Sequence, residues 1–525
     1  MTAAAALREA LAEAGVRSRA RRGPALAPGG EIGVRAGQWG TALAAARGAG
    51  FRLASLWAES RPTSLLVTAL LERGGSYVAA RTRARGVSPE VPSITPVYPA
   101  ADRLERHARD LLGLVPTGHP DQRRWTRHRA WGESEHPLGA AFPSARAPDG
   151  PTPPDVDYPF VATHGSGAYE IPVGPVHAGV IEPGHFRFQA VGEEILRLEA
   201  RLGYVHKGIE KIAEGRDPAG LARLAARVSG DSALAHAWAA CMAVERAAGC
   251  TPPARALALR AAACEIERVV NHLWDLAAIL NDVTFPFGYY QLGRLVEDWR
   301  RASARAFGNR LLMDALVPGG MAGDLAANEA RHLLERCRAT GHELAEVWAI
   351  VQANASVHDR LAGTGILEAA DARDLGAVGF VGRASGQDFD VRRDAPYPPY
   401  DTLEVAAPCY PHGDVAARAR VRHDEILISL GLLERLLAAL PDGPIAATLH
   451  HPPPGAEGLG IVDGWRGEIA TYVRFGPGGR IARFFPRDPS WLTWPALERL
   501  VHGNIVPDFP VCNKYVNGSY AGHDL

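Results

Sequence analysis

The sequence predicts an α+β protein: a small N-terminal α/β-sandwich-like domain, then a mainly α-helical bundle domain carrying small peripheral β-sheets. Three observations predict it. Apolar and polar positions alternate from residue 37 to about 125, as half-buried strands require. Beyond residue 220 apolar positions recur every three or four residues over long stretches, the period of a buried helix face. Between the two patterns lies a segment rich in Pro, Gly and charge, from His136 to Pro159, which includes PDGPTPPD. At 525 residues the chain exceeds one ordinary core, and its 47% hydrophobic and 22% charged residues suit a globular protein.

Residues 1–36 read as an N-terminal extension. The start, MTAAAALREALAEAG, is broken by Arg8, Glu9 and Glu13, so it lacks the apolar core of a secretory signal. The basic run Arg17–Arg22 reads as a solvated helix end or a frayed segment, with an interaction tail as the other reading. The first domain spans 37–135. Phe51, Leu53 and Leu56, then SLLVTALLE and SYVAARTRA, are its strands, and ADRLERHARDLLG is a helix that stops at Gly113. Residues 136–165 form the linker.

The second domain spans 166–525. Leu259, Ile266, Val269, Leu273, Leu276 and Leu280 predict a helix over 254–281, and similar stripes run through 220–247, 290–312, 326–355 and 414–440. Gly458–Arg474 alternates like a strand pair. The aromatics Trp491, Trp494, Phe509, Tyr515 and Tyr520 predict a tail that packs back onto the bundle.

Composition excludes several functions. Lys+Arg 57 against Asp+Glu 58 leaves a formal charge of -1, so nothing global draws the chain to nucleic acid or an anionic bilayer. No stretch approaches the ~20 apolar residues that span a membrane, so membrane association is expected through partners. The six cysteines form no CxxC pair and read as core residues. No GxGxxG or Walker fingerprint stands out, so any NAD link is expected to lie in other subunits.

Five motifs carry a family resemblance. SITPVYPAADRLERHARDLLGLVPTGHPDQRRW, residues 93–125, resembles the 30 kDa-type subunit of respiratory complex I, with Glu105, Asp110, Gly118, His119, Asp121 and Arg123 in register. GPVHAGVIEPGHFRF, YVHKGIEKIAEGRDP, FVGRASGQDFDVRRDAPY and GWRGEI, in that order, resemble the 49 kDa-type subunit and the large subunit of membrane-bound nickel–iron hydrogenases. The fused order is similar to that of formate hydrogenlyase and hydrogenase-4 large subunits.

The resemblance implies where a nickel–iron site would lie and what has replaced it. Its four soft thiolates come as two CxxC pairs; here those places fall on Ser229 and Ser232 in RVSGDSALAHA, and on Ser519 and Gly522 in VNGSYAGHDL. Cys512 is the one sulfur nearby in sequence, so no metal centre is expected. Glu182 matches the family's proton-passing glutamate, Glu210 a carboxylate beside the metal, and Arg466 the arginine that overhangs it. Ion pairs with Lys207, Lys211 or Arg187 are the structural reading of the two glutamates, and a salt-bridged strand arginine that of Arg466.

His185, with His177 before it, matches the quinone-headgroup histidine of complex I, but no tyrosine lies between Tyr204 and Tyr289 to partner it. Asp231 joins the cavity acids or caps a helix in its SGDS turn. The resemblance further implies an oxidoreductase subunit coupling electron transfer, towards a quinone or related acceptor, to ion translocation. Expected partners are an iron–sulfur small subunit of the complex I 20 kDa type, which holds the clusters, and antiporter-like membrane-arm subunits. The expected location is peripheral, on the cytoplasmic side of the cell membrane. A redox-silent scaffold is the alternative, with an active hydrogenase third.

Overall fold

The computed structural model describes residues 2–21, 25–129, 131–140, 142–143, 156–177 and 181–525. The first unit is built on a five-stranded sheet of β1 (Ser18–Ala20), β2 (Glu31–Val34), β3 (Arg52–Arg61), β4 (Ser64–Arg73) and β5 (Ser76–Ala84), in the order β1-β2-β5-β4-β3. β3, β4 and β5 are hairpin neighbours, and the second turn is Gly74-Gly75, both at positive φ, as a two-residue hairpin requires. β2 joins β5 in parallel. A short parallel pair, β6 (Glu90–Pro92) and β7 (Val115–Thr117), brackets the helix Asp102–Leu112, which ends on Gly113 in the left-handed conformation.

The first 36 residues, read from the sequence as an N-terminal extension, are folded onto the first unit. They supply a helix, Ala3–Glu13, that buries Ala6, Leu7 and Leu11, and two strands of the sheet. The basic run expected to fray is β1 through Ala20, because its alternating side chains suit an edge strand; Arg22 lies outside the described residues, as do residues 144–155 of the expected linker.

The second unit is the helical bundle. Its centre is the helix Ala254–Asp282, which packs against Pro286–Phe307 and Val415–Ala438, with Ala327–Ala353 on the far side of those two. The stripe read as one helix over 220–247 is two, Pro218–Ala225 and Ala233–Ala248, and the break between them carries Ser229 and Asp231.

Small sheets surround the bundle: β8 (Ala168–Val173), β9 (His185–Val191) and β10 (Glu194–Arg201); β11 (Leu316–Val317) with β12 (Gly320–Met321); and β13 (Glu457–Gly464), β14 (Gly467–Phe475) and β15 (Ile481–Arg487). β13 lies directly on the helix Ala233–Ala248. A Cβ at Gly458 or Gly460 would stand 1.8 or 1.9 Å from the carbonyl oxygens of Ala243 and Ala239, so only glycine allows that approach. The C-terminal aromatics pack back as expected, with Trp491, Trp494, Tyr515 and Tyr520 all buried.

The two units meet through charges rather than a purely apolar seam. Arg52 pairs with Glu468 at 2.5 Å, Arg61 with Glu457 at 2.6 Å and Arg474 with Glu59 at 2.7 Å, beside Trp57 lying 5.0 Å from the Tyr472 ring centre. Among the described residues no helix is long and apolar enough to cross a membrane.

Candidate functional site

The break at 226–232, the β13–β14 hairpin turn and the C-terminal turn converge on one cavity of about 490 Å³. The hairpin turn is short: Gly464 pairs with Gly467, leaving Trp465 and Arg466 at its tip. Arg466 is thereby pushed into the cavity wall, where it is 4% exposed. Its Nη1 and Nη2 donate to Oδ1 and Oδ2 of Asp231 at 2.7 and 2.6 Å, a bidentate charge-assisted pair. Its Nε donates to the Asn517 carbonyl at 2.6 Å, and its guanidinium lies 3.9 Å from the Trp465 ring centre.

The four positions where the resemblance puts metal thiolates are gathered around this pair. The Ser229 and Ser519 hydroxyls lie 2.7 Å apart, and the Ser229 hydroxyl donates to Asp231 Oδ1 at 2.7 Å. Ser232 Oγ accepts from Arg466 Nη1 at 3.2 Å, and Ser519 Oγ accepts from the Gly522 N–H at 2.9 Å. Gly522 has no room for a side chain, since its Cβ would stand 2.6 Å from the Asp488 carboxyl carbon. Asp488 is fixed there by His236 at 2.8 Å and by the Ser490 N–H at 2.8 Å.

Charge follows from these contacts. Burial opposes ionisation of Asp231, but the Arg466 charge and hydrogen bonds outweigh it and hold its pKa below the usual carboxylate value. Asp488 is held lower still, where His236 and Arg466 overcome burial. Asp275, on the opposite wall, is pushed up to about 6 because burial exceeds the help it receives from Arg422. An adjoining cavity of about 220 Å³ shares Asp231, Asn271 and Arg300 and contains Glu267, which burial raises to about 8.

The other expected residues divide. Glu182 lines the cavity and accepts the Ala521 N–H at 2.9 Å, with no ion pair to Lys207, Lys211 or Arg187 among the described contacts. His177 reaches the cavity through Tyr520, whose hydroxyl lies 3.2 Å from its Nε2; residues 178–180, which follow it, are outside the described ones.

His185, expected at the same cavity, is not among the residues lining it: it opens β9, with Nδ1 3.3 Å from the Gly174 carbonyl and Arg187 Nε 3.4 Å from its Nε2. Glu210, expected beside the metal place, stands elsewhere. It is buried between His107 Nε2, at 2.6 Å, and Arg483, which joins the two units rather than lining the cavity. Asp231 does not cap the helix that follows it, because Arg466 takes both its oxygens.

Sequence reasoning missed Tyr520, Asp488 and Arg300. Tyr520 follows Ser519 directly and has a signal there. Asp488 has none, since nothing in RDPSW marks a carboxylate aimed at residue 522.

The model of the respiratory-chain NADH dehydrogenase 49 Kd subunit matches residues 290–456, that of the 30 Kd subunit matches 34–148, and that of nickel-dependent hydrogenase matches 207–279. Hydrogenase-4 component G of Escherichia coli is 34% identical over 438 residues, covering 83% of this chain and 76% of that protein. Formate hydrogenlyase subunit 5 of the same organism is 31% identical over 457 residues, covering 86% and 80%. Among solved structures, a chain of the membrane-bound sulfane sulfur reductase, an archaeal respiratory membrane complex, superposes with a TM-score of 0.65 at 25% identity, covering 68% of this chain and 98% of that one. The chain belongs to the large-subunit family shared by complex I-type and membrane-bound hydrogenase complexes, in the form that joins the 30 kDa-type and 49 kDa-type units.

Proposed function

We propose that this chain is the large subunit of a membrane-associated oxidoreductase complex that passes electrons to a quinone or related small acceptor in the old metal cavity, without a nickel–iron centre, and couples that transfer to ion movement. One observation carries the reading: Ser229 and Ser232, at two of the positions matched to thiolates, hydrogen-bond to the Asp231–Arg466 pair, and Ser519, at a third, hydrogen-bonds to Ser229. A nickel–iron centre takes four soft sulfur ligands. Ser229, Ser232 and Ser519 offer hydroxyls already engaged in hydrogen bonds, and Gly522 offers nothing, with Asp488 in the way. The donor set does not fit the metal.

It suits a polar acceptor. The Arg466 guanidinium is a fixed positive charge for an oxygen or sulfur atom that gains negative charge, and Asp231, through its bidentate pair, holds that guanidinium in place. Glu182 lines the same cavity and, as the match to the family's proton-passing glutamate, is the residue that would carry protons from it. In this reading an iron–sulfur small subunit delivers the electrons, antiporter-like membrane subunits move the ion, and the chain sits on the cytoplasmic face. A redox-silent scaffold is the second reading, favoured by the fact that Asp231 and Arg466 satisfy each other and that His185 is not among the residues lining the cavity.

The test uses the intact purified complex. Asp231→Asn and Glu182→Gln are expected to lower electron transfer to a quinone analogue or a sulfane sulfur compound by roughly tenfold or more, with assembly unchanged. Rates equal to the parent complex would instead favour the scaffold. Stoichiometric nickel in the purified complex would sink both readings.

A further inference from the structure

The sheet of the first unit has a second, unrelated site. Strand side chains alternate between faces, and residues paired across strands share a face. The register runs Arg19, Gly33, Arg81, so these three form one row across β1, β2 and β5 on the face opposite the buried Ile32 and Ala80. Arg17, Arg35, Arg83 and Arg85 belong to the same face by the same alternation. Together they line a groove of about 840 Å³ in which eight arginines face two glutamates, Glu31 and Glu457. In a chain whose formal charge is -1, so local an excess is not composition.

The groove is built as well as charged. Arg81 is 6% exposed; its Nη1 donates to Glu457 at 2.8 Å and Glu31 at 3.2 Å, while its Nε and Nη2 have no hydrogen-bond partner. Its guanidinium lies 5.9 Å from the Tyr472 ring centre, so Arg81 is a fixed positive charge under the groove, and the exposed arginines around it are the ones that meet a ligand. Arg17, Arg19, Arg35, Arg83 and Arg85 make no ion pair among the described residues, although the two glutamates lie in the same groove. Gly33 leaves the floor of the row open: it carries no side chain between Arg19 and Arg81, and a Cβ there would meet nothing nearer than 3.7 Å.

We infer that this groove docks an extended acidic segment of a partner subunit, with carboxylates at every second residue. The spacing favours a polypeptide over a compact anion. Arginines two apart on a strand stand about 6.6 Å apart, which is also the repeat of same-side residues along an extended peptide. The arginines cover three strands lying ~4.8 Å apart, more than a single small anion spans. No aromatic side chain lines the groove, so it offers no stacking surface to a nucleotide base. This inference does not depend on what the cavity reduces.

The test is fluorescence anisotropy on the full chain with a labelled peptide of alternating glutamate and threonine. Binding is expected to weaken with added salt and to fall by roughly tenfold or more in the exposed double variant Arg83→Glu/Arg85→Glu. Gly33→Ala, which alters no charge and whose Cβ meets nothing nearer than 3.7 Å, is expected to weaken it too by raising the floor. Far-ultraviolet circular dichroism checks that both variants fold, and a variant that does not fold is replaced by Arg19→Gln. Three outcomes overturn the inference: no binding at all; equal binding of a peptide with the same glutamates in one block; or tighter binding of inorganic tripolyphosphate, which would make the groove a phosphate site.

Discussion

At the scale of single residues, the cavity is defined by substitutions that fit one another. Three serines and a glycine stand at the positions that the family resemblance matches to thiolates, and each is tied to a neighbour: Ser229 to Asp231, Ser232 to Arg466, Ser519 to the helical turn Tyr520–Asp524, and Gly522 to Asp488. The tie at Gly522 is steric, and it gives a sharp expectation. Gly522→Cys should destabilise the chain by about 1–3 kcal/mol, the usual result of overpacking a closed site, whereas Ser519→Cys should be nearly neutral. Urea unfolding of both variants measures this, and equal stabilities would show that Asp488 yields. The sequence made the four positions readable because the flanking motifs fix their register. It could not show that Asp231 abandons the helix end for Arg466, since that choice depends on a residue far along the chain.

At the scale of elements, helix periodicity made Ala254–Asp282 legible almost to the residue, because its apolar face is buried along its length. The same periodicity misjudged 220–247. The stripe ran through the polar SGDS stretch at 229–232, where the chain turns between the two helices. The helix after the break, Ala233–Ala248, has no capping side chain of its own; Glu267 from the central helix accepts the Leu234 and Ala235 N–H groups at 2.7 and 3.1 Å instead. Burial raises Glu267 to about 8, so the folded state holds a proton that the unfolded chain releases near ~4.3. Stability therefore falls as pH rises from that lower value to about 8. Glu267→Gln keeps an acceptor for the helix end and removes the proton. Its melting temperature should vary less between pH 5 and 8 than the parent's, and parallel curves would refute the assignment.

At the scale of the whole molecule, the sequence read the chain as two units joined by a linker, but it gave no sign of how they are held. The joint is made of pairs in which one partner lies in each unit, such as Arg52 with Glu468, and no single segment contains both halves of the pattern. Glu210 was misread for this reason: its motif belongs to the second unit, while His107, its neighbour, belongs to the first. Burial opposes its charge, yet Arg483 and then His107 prevail and hold its pKa at about 2. The contribution is complete above the unfolded value of ~4.3 and is lost as pH falls towards 2. Glu210→Gln is expected to cost about 3–5 kcal/mol at neutral pH, the usual effect of breaking a buried pair. That difference should shrink in unfolding experiments near pH 3, and a constant difference would separate Glu210 from the ion pair.

The carboxylate of Asp488 also sets an order on any change at the C-terminal turn. Because it stands against Gly522, held by His236 and Ser490, a side chain placed at residue 522 needs Asp488 to move first. A single substitution there meets occupied space, so a larger residue at 522 is accommodated best together with a smaller one at 488.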